Sequence, residues 1–460
     1  MRILISQKPP KRITRVVFRK GKEENLRNEA DGSCFLEIGL GEATKMDRRN
    51  LILLLRRIIV SANEKHLSML VIDFSELRTC AGPESIPAVE LAELLSTNLL
   101  LADYAFEEYK TPPKAGFPHV KRVYLLHAET LRIAAAIERG KIIGEETNRA
   151  RHIATMPASE MTPELLARHV RKALRQLPVR VTVWNEREIE RRGMAGIIAV
   201  GKGSSSKPRF IILEYRGDKR GESPTVLVGK GVTFDAGGIN LKPTNAILGM
   251  NMDMSGGASV IHTLAACARL KVRKNLVALI PAVENMISGE SYRPGDIIRT
   301  LSKKTIEVQD TDAEGRVILA DALFYAKRYN PRLVIDVATL TGSAVVALGE
   351  RSSALFTLDE KIETRLRHIG RSVGDPVWPL PLWDEYFDDI RGVYADIGNV
   401  GNTKWGGAIT AAIFLKQFVD YPWVHLDIAP RMTSILGEYL AKGSIGAGVQ
   451  ILVRFLVTKA

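Results

Sequence analysis

From about residue 180 onward, short apolar runs alternate with helix-length segments, and that alternation leaves the chain few architectures to adopt. Residues 225–229, 275–283 and 333–340 read as buried strands. Residues 257–270 and 316–329 read as helices, the second nearly all apolar. Strands separated by helices form a mostly parallel sheet covered on both faces. Ligands of such sheets gather in the crevice beyond the carboxyl ends of the strands. The first third repeats the pattern, with helices expected over 48–61 and 84–102, the latter opening around Pro87, and strands over 67–74 and 120–127. Between the two runs, 129–155 is long and helix-like, and Met156-Pro157 and Thr162-Pro163-Glu164 punctuate its far side. The expectation is two α/β domains, 1–128 and 161–460, joined by a helical connector over 129–160. The C-terminal domain is expected to be a mostly parallel or mixed sheet flanked by helices and to carry the active site. A length of 460 residues agrees with two cores rather than one.

The loops of the second run carry the chemistry. Val228-Gly-Lys-Gly-Val-Thr-Phe-Asp235-Ala-Gly-Gly-Ile-Asn-Leu-Lys242 is followed eleven residues later by Asp253, and then by Asp312-Ala-Glu314-Gly-Arg316. Three Asp, one Glu, two Lys and an Arg stand in these blocks, without His or Cys. Carboxylate-rich sets suit divalent cations, and paired cations need a carboxylate to bridge them. Asp235 lies among glycines, as on a tight loop, where it could share its oxygens between ions about 3.5–4 Å apart. Alone it would pass for a turn residue. Asp312 and Glu314 flank a single Ala, so in extended chain both face one way. Two such acids repel unless cations neutralise them. Asp253 lies just before a helix start, where the helix dipole by itself favours an acid. Arg316, just outside the acids, suits an anion. A ligating lysine must be neutral, whereas a charged one can stabilise an oxyanion, so Lys230 and Lys242 leave both roles open. His262 reads as a core histidine within an apolar helix, and His425 as a buried strand residue.

Three scattered cysteines argue against a disulfide framework and for a reducing compartment. No apolar stretch approaches the roughly 18 residues that span a bilayer; the best, 51–60, is split by Arg56 and Arg57. The N-terminus lacks the apolar core of a secretory signal, so a cytoplasmic location without membrane partners is expected. The net charge is +13, and the first 22 residues hold eight basic side chains and no acid. A solvated basic surface accounts for this, with a nucleic-acid surface as the sharper alternative. Pro9-Pro10 disfavours an organellar transit helix.

These blocks resemble the cytosolic leucine aminopeptidase family of di-metal exopeptidases. Besides Val228 to Asp235 and Gly237 to Pro243, the resemblance includes Glu284-Asn-Met, Arg293-Pro-Gly-Asp296, Thr311-Asp-Ala-Glu-Gly-Arg316 and Ala320-Asp-Ala-Leu. It continues through Ala338-Thr-Leu-Thr-Gly342 and Gly407-Ala-Ile-Thr-Ala-Ala-Ile-Phe-Leu, and covers essentially all of 150–460. Tyr104-x-Phe-x-x-Tyr-Lys110 resembles the end of that family's N-terminal domain.

The resemblance implies a leucine-preferring aminopeptidase acting on short peptides through a water held between two divalent ions, zinc or manganese, with magnesium a third candidate. Lys230, Asp235, Asp253, Asp312 and Glu314 would hold the ions. Asp235 and Glu314 would bridge, with Lys230 and Asp253 serving one ion and Asp312 the other. Lys242 would touch the scissile carbonyl oxygen, and Arg316 would anchor a bicarbonate acting as general base. Asp310, Gly315, Thr339, Leu340 and Gly342 would line the substrate and bicarbonate positions. A homohexamer, a dimer of trimers with its sites facing an interior cavity, is implied as well. The sequence departs from the family at three places. Asp310 stands where Asn is usual, Ala236 where Ser is common, and Pro430-Arg-Met-Thr433 replaces Gly-Thr-Ala-Trp. The alternatives are a nucleic-acid-binding protein with secondary peptidase activity and an inactive structural paralogue.

Overall fold

The computed structural model describes residues 1–8, 12–41, 46–81, 86–128, 130–218 and 220–458. Pro9-Pro10, Glu84 and Glu129 lie outside them. The chain divides into two compact units, Met1–Asn148 with Ser434–Lys442, and Arg149–Thr433 with Gly443–Ala460. The division falls inside the 25-residue helix Leu131–Thr155. Among the described residues no helix is long and apolar enough to cross a membrane.

The first unit is built on a six-stranded sheet of β1 (Arg2–Ile5), β2 (Thr14–Arg19), β3 (Glu24–Asn28), β4 (Cys34–Gly39), β5 (Met69–Asp73) and β6 (Arg122–Leu126), in the order β1-β6-β5-β2-β4-β3. Every neighbouring pair runs parallel except β3 against β4. The helix Arg48–Glu64 forms because Leu51, Leu55, Ile58, Ile59 and Ala62 recur at helical spacing and all become buried. Asp47 caps it by accepting the Asn50 N–H at 2.8 Å.

The second unit carries a nine-stranded mixed sheet. Its strands are β7 (Val179–Trp184), β8 (Arg209–Arg216), β9 (Thr225–Gly229), β10 (Gly231–Asp235), β11 (Asn275–Asn285), β14 (Leu333–Ala338), β15 (Ser353–Thr357), β16 (Val377–Pro379) and β18 (Trp423–Asp427). The order is β16-β15-β18-β14-β9-β11-β8-β7, with β10 also paired to β11. A small second sheet joins β12 (Ile297–Arg299), β13 (Thr305–Glu307) and β17 (Ile397–Gly398). The centre of the large sheet, β18-β14-β9-β11, is parallel, while the flanking pairs β15–β18, β11–β8 and β8–β7 are antiparallel. Every residue of β9, β14 and β18 is buried, as a sheet covered on both faces requires.

The helix Glu314–Ala326 is fixed to this sheet at its far end by aromatic packing. Tyr325 meets Trp184 edge-on at 5.2 Å and Phe210 at 5.5 Å, and those two rings stack at 5.3 Å. Midway along, fully buried Asp321 accepts the backbone N–H groups of Gly196 at 2.7 Å, Ile197 at 3.3 Å and Leu301 at 2.8 Å. It thereby caps the helix Ala195–Gly201 and locks the helix that begins with Glu314. Burial pushes the Asp321 carboxyl up to about 7, against the backbone donors that lower it.

Removing Asp321 leaves buried N–H groups unpaired, so Asp321→Ala is expected to cost about 2–4 kcal/mol in urea unfolding. Because the folded-state pKa is raised, the folded protein holds the proton longer than the unfolded chain. The Asp321 contribution should therefore shrink as pH rises from the ordinary carboxylate range towards about 7. A contribution that grows over that range, measured against Asp321→Asn, contradicts this.

Candidate active site

The site assembles where β9, β10 and β14 end. Lys230 sits between β9 and β10, its N–H bonded to Val337 O at 3.0 Å and its carbonyl accepting Gly257 N–H at 2.7 Å. That pins the residue between β14 and the opening turn of the helix Ser255–Arg269. Asp235 is the last residue of β10 rather than part of a loop, and Lys242 lies on the loop beyond it, with its N–H bonded to Ala236 O at 3.0 Å. Asp253 occupies a short 3-10 turn, Met250–Met254, immediately before that same helix. Asp312 and Glu314 do not face one way through extended chain. Residues 311–312 form a turn and Glu314 opens its helix, so the turn itself brings the two acids together.

Among the described residues, carboxylate oxygens of Asp235, Asp312 and Glu314 lie within 4.8 Å of one another. Two lysines thread this cluster. Lys230 Nζ lies 2.8 Å from each oxygen of Asp253, 2.7 Å from Glu314 Oε1 and 2.8 Å from the carbonyl of Thr339. Lys242 Nζ lies 2.8 Å from Asp235 Oδ2 and 2.6 Å from Asp312 Oδ1. Gly315 is needed here for room, because a Cβ on it would stand 2.7 Å from Lys230 Cε. Thr339 holds Asp253 in place, its hydroxyl donating to Asp253 Oδ1 at 2.7 Å.

The charges are in tension. Burial works to neutralise Lys230, but Asp253, Glu314 and Asp235 outweigh it and hold the amine protonated; Lys242 is raised in the same way, chiefly by Asp235. Burial, reinforced by Asp235, pushes Glu314 up to about 8 and raises Asp312; burial also pushes Asp253 up to about 6, although Lys230 opposes it. Asp253 Oδ2 and Asp312 Oδ1 are buried beside an ammonium yet out of hydrogen-bond geometry. Crowded, undersatisfied carboxylates of this kind fit divalent cations. Such ligands bind deprotonated, and a lysine can ligate only through its lone pair.

Arg316 is buried, its guanidinium pushed down to about 10 by desolvation, and its Nε has no hydrogen-bond partner among the described residues. A buried cation lacking a bonded partner suits an anionic guest. Leu340 lies on the short loop after β14 and Gly342 opens the helix Gly342–Leu348; Asp427 holds that loop by accepting Leu340 N–H at 3.0 Å and the Thr341 hydroxyl at 2.7 Å. Asp310 is engaged locally, its Oδ1 accepting Asp312 N–H at 2.8 Å. His262 is buried in its helix, and His425 is buried on β18, bonded through Nδ1 to Asp336 at 2.6 Å. Asp427, Asn285 and Tyr292 were not singled out by residue type, since Asn, Tyr and a lone Asp resemble any buried polar side chain.

A buried carboxylate and lysine cluster at the carboxyl edge of an α/β sheet defines the class, a metal-dependent hydrolase. The model of the cytosol aminopeptidase family's catalytic domain matches residues 148–453. The probable cytosol aminopeptidase of Syntrophotalea carbinolica is 43% identical over 381 residues, 82% of this chain and 76% of that protein. That of Roseiflexus castenholzii is 40% identical over 431 residues, 92% of this chain and 86% of its own. Among solved structures, the bottromycin maturation enzyme BotP in complex with Mn has a TM-score of 0.86 at 31% identity, covering 96% of this chain and 98% of that one. The chain belongs to the cytosol aminopeptidase family, and its function is that of a metallo-aminopeptidase. These matches support neither a nucleic-acid-binding role nor an inactive one.

Because Glu314 holds its proton up to about 8 and Lys230 is held protonated above that, uptake of an ion by these two groups would release protons. Apparent Mn(II) affinity is expected to climb with pH through about 8. Calorimetry in buffers of different ionisation enthalpy checks this: net proton release supports it, and an enthalpy independent of the buffer contradicts it.

Proposed function

We propose that this protein is a two-metal aminopeptidase that removes the N-terminal residue, with a leucine-like preference, from short peptides. The observation that carries the reading is the convergence of Asp235, Asp312 and Glu314 within 4.8 Å, with Lys230 joining Asp253 to the same cluster. Lys230, Asp235, Asp253, Asp312 and Glu314 would hold two divalent ions. Asp235 and Glu314 would be shared, Lys230 and Asp253 would serve one ion, and Asp312 the other. Zinc and manganese are the favoured occupants and magnesium the third candidate, since carboxylate ligation tolerates several ions. A solved relative described in complex with Mn supports an ion of this kind. Bound there, the ions would supply the acidity that makes water a nucleophile and the positive charge that polarises the scissile carbonyl.

The chain's own groups account for the rest. Lys242, raised and half-buried, would keep its charge through the reaction and face the carbonyl oxygen as negative charge develops there. Arg316, whose Nε is buried without a hydrogen bond, would anchor a bicarbonate that accepts the proton of the attacking water, with Gly315, Leu340 and Gly342 beside it. Thr339 and Asp310 would border the substrate. The carboxylates would also place the free amino terminus of the peptide, which restricts release to the terminal residue. A cytoplasmic homohexamer, a dimer of trimers with sites opening on an enclosed cavity, would explain a preference for short peptides.

Lys242→Ala is expected to keep its ions and lose about 100- to 1000-fold in turnover of a leucyl anilide. Near-normal turnover of the ion-loaded variant contradicts the role given to Lys242. Removal of the ions by a chelator should abolish turnover, and restored Mn(II) or Zn(II) should return it.

A further inference from the structure

Asn285 lies where the segment that ends with Asp235 meets the one that runs from Thr311 through Asp312 to Glu314. It is the last residue of β11, fully buried, and stands opposite Asp235 in the ladder with β10. Its amide nitrogen donates twice, to Asp235 Oδ1 at 2.8 Å and to the Thr311 carbonyl at 3.0 Å. A carboxylate and a carbonyl only accept, so the NH₂ must face them and the amide cannot be turned the other way. Asn285 Oδ1 is left buried with no hydrogen-bond partner among the described residues. It presses on the glycine loop, where Gly238, at φ +66°, would bring a Cβ to 2.9 Å from it. An unpaired buried amide oxygen is destabilising, a cost that an apolar side chain of similar shape would avoid.

What the position gains is control of a carboxylate. Asp235 Oδ1 also accepts the Gly237 N–H at 2.9 Å, so two donors occupy that oxygen, while Oδ2 lies against Lys242. Other bonds tie the two segments together. The Thr311 hydroxyl donates to Gly237 O at 2.6 Å and accepts Asn240 N–H at 2.8 Å, but neither bond reaches a carboxylate of the cluster. Tyr292 donates to the same Thr311 carbonyl at 2.7 Å and belongs to that side alone. Lys242 also joins Asp235 to Asp312, but as an ion pair; among the described residues Asn285 is the uncharged side chain bonded both to Asp235 and to the segment that carries Asp312 and Glu314.

We infer that Asn285 is a positioning residue of the metal centre, setting the orientation of Asp235 and its spacing from the Asp312–Glu314 block, and thereby the affinity for ions. The inference rests on the two-ion reading proposed above. Groups that orient ligands without touching the ion typically change affinity by 10- to 100-fold.

Chelator competition with Mn(II) on the full-length protein tests it, comparing wild type, Asn285→Ala, Asn285→Leu and Tyr292→Phe. Leu keeps the branched shape and removes both donors, so it serves if the Ala variant folds poorly. Tyr292→Phe weakens the hold on Thr311 without touching Asp235. The expected result is two ions in the wild type, affinity about 10- to 100-fold weaker in both Asn285 variants, and Tyr292→Phe within about threefold of wild type. The Co(II)-loaded Asn285→Leu protein should also show a shifted visible absorption band, a readout that space-filling alone would not move. Unchanged affinity and spectrum in the Asn285 variants of a wild type that binds two ions overturn this role alone. Equal weakening by Tyr292→Phe also overturns it, because Thr311 would then be what Asn285 serves. A wild type that binds fewer than two ions overturns the two-ion reading and this role together.

Discussion

Four carboxylates and two ammonium groups are confined in one largely buried site, and the rest of the catalytic unit is arranged to tolerate that confinement. At the 4.8 Å separation within the cluster, two like charges repel by roughly 3 kcal/mol at an effective dielectric constant of about 20. No such set would persist without compensating positive charge. Lys230 and Lys242 supply it, each lying between two acids, and the same acids keep both amines protonated against the pull of burial. The balance is electrostatic rather than directional, as the unbonded oxygens of Asp253 and Asp312 show. A site held this way favours guests of higher positive charge with flexible coordination, which is the character of divalent ions.

The fold makes the confinement affordable by taking the acids from rigid elements. Asp235 ends a strand, Glu314 opens a helix clamped by Asp321 and by the Trp184, Phe210 and Tyr325 rings, and Asp253 sits in a turn against a helix start. The parallel centre of the sheet brings these ends to one edge, and Lys230 is bonded across to β14 and to the helix Ser255–Arg269 through its own backbone. Positioning side chains complete the arrangement. Thr339 orients Asp253, Asp427 holds the loop after β14, and Asn285 bonds both Asp235 and the Thr311 carbonyl just before Asp312 and Glu314.

Much of this was legible in the residues. The strand-helix alternation set the architecture, because hydrophobic periodicity reports burial directly, and β9, β11 and β14 fall close to where the apolar runs place them. The resemblance named the family that the comparisons establish. Less legible was local geometry. The glycines around Asp235 suggested a tight loop, yet backbone pairing with β11 carries the chain as strand up to that residue. The Asp-Ala-Glu spacing suggested extended chain, whereas Glu314 begins a helix that tertiary contacts hold. The expected mostly parallel or mixed sheet holds, but which strands run antiparallel was not legible, since pairing direction depends on connections that periodicity does not encode. Asn285, though inside the Glu284-Asn-Met motif, and Asp427 carried no expected role, because their importance lies in what they touch.

Anomalous diffraction from crystals grown with Mn(II), recorded above and below the manganese absorption edge, would locate the ions without recourse to activity. Two anomalous peaks about 3.5–4 Å apart are expected, lying between Asp235 and Glu314 with Lys230 Nζ beside one of them. A single peak, or peaks that leave either of those carboxylates without a neighbouring ion, contradicts the two-ion reading.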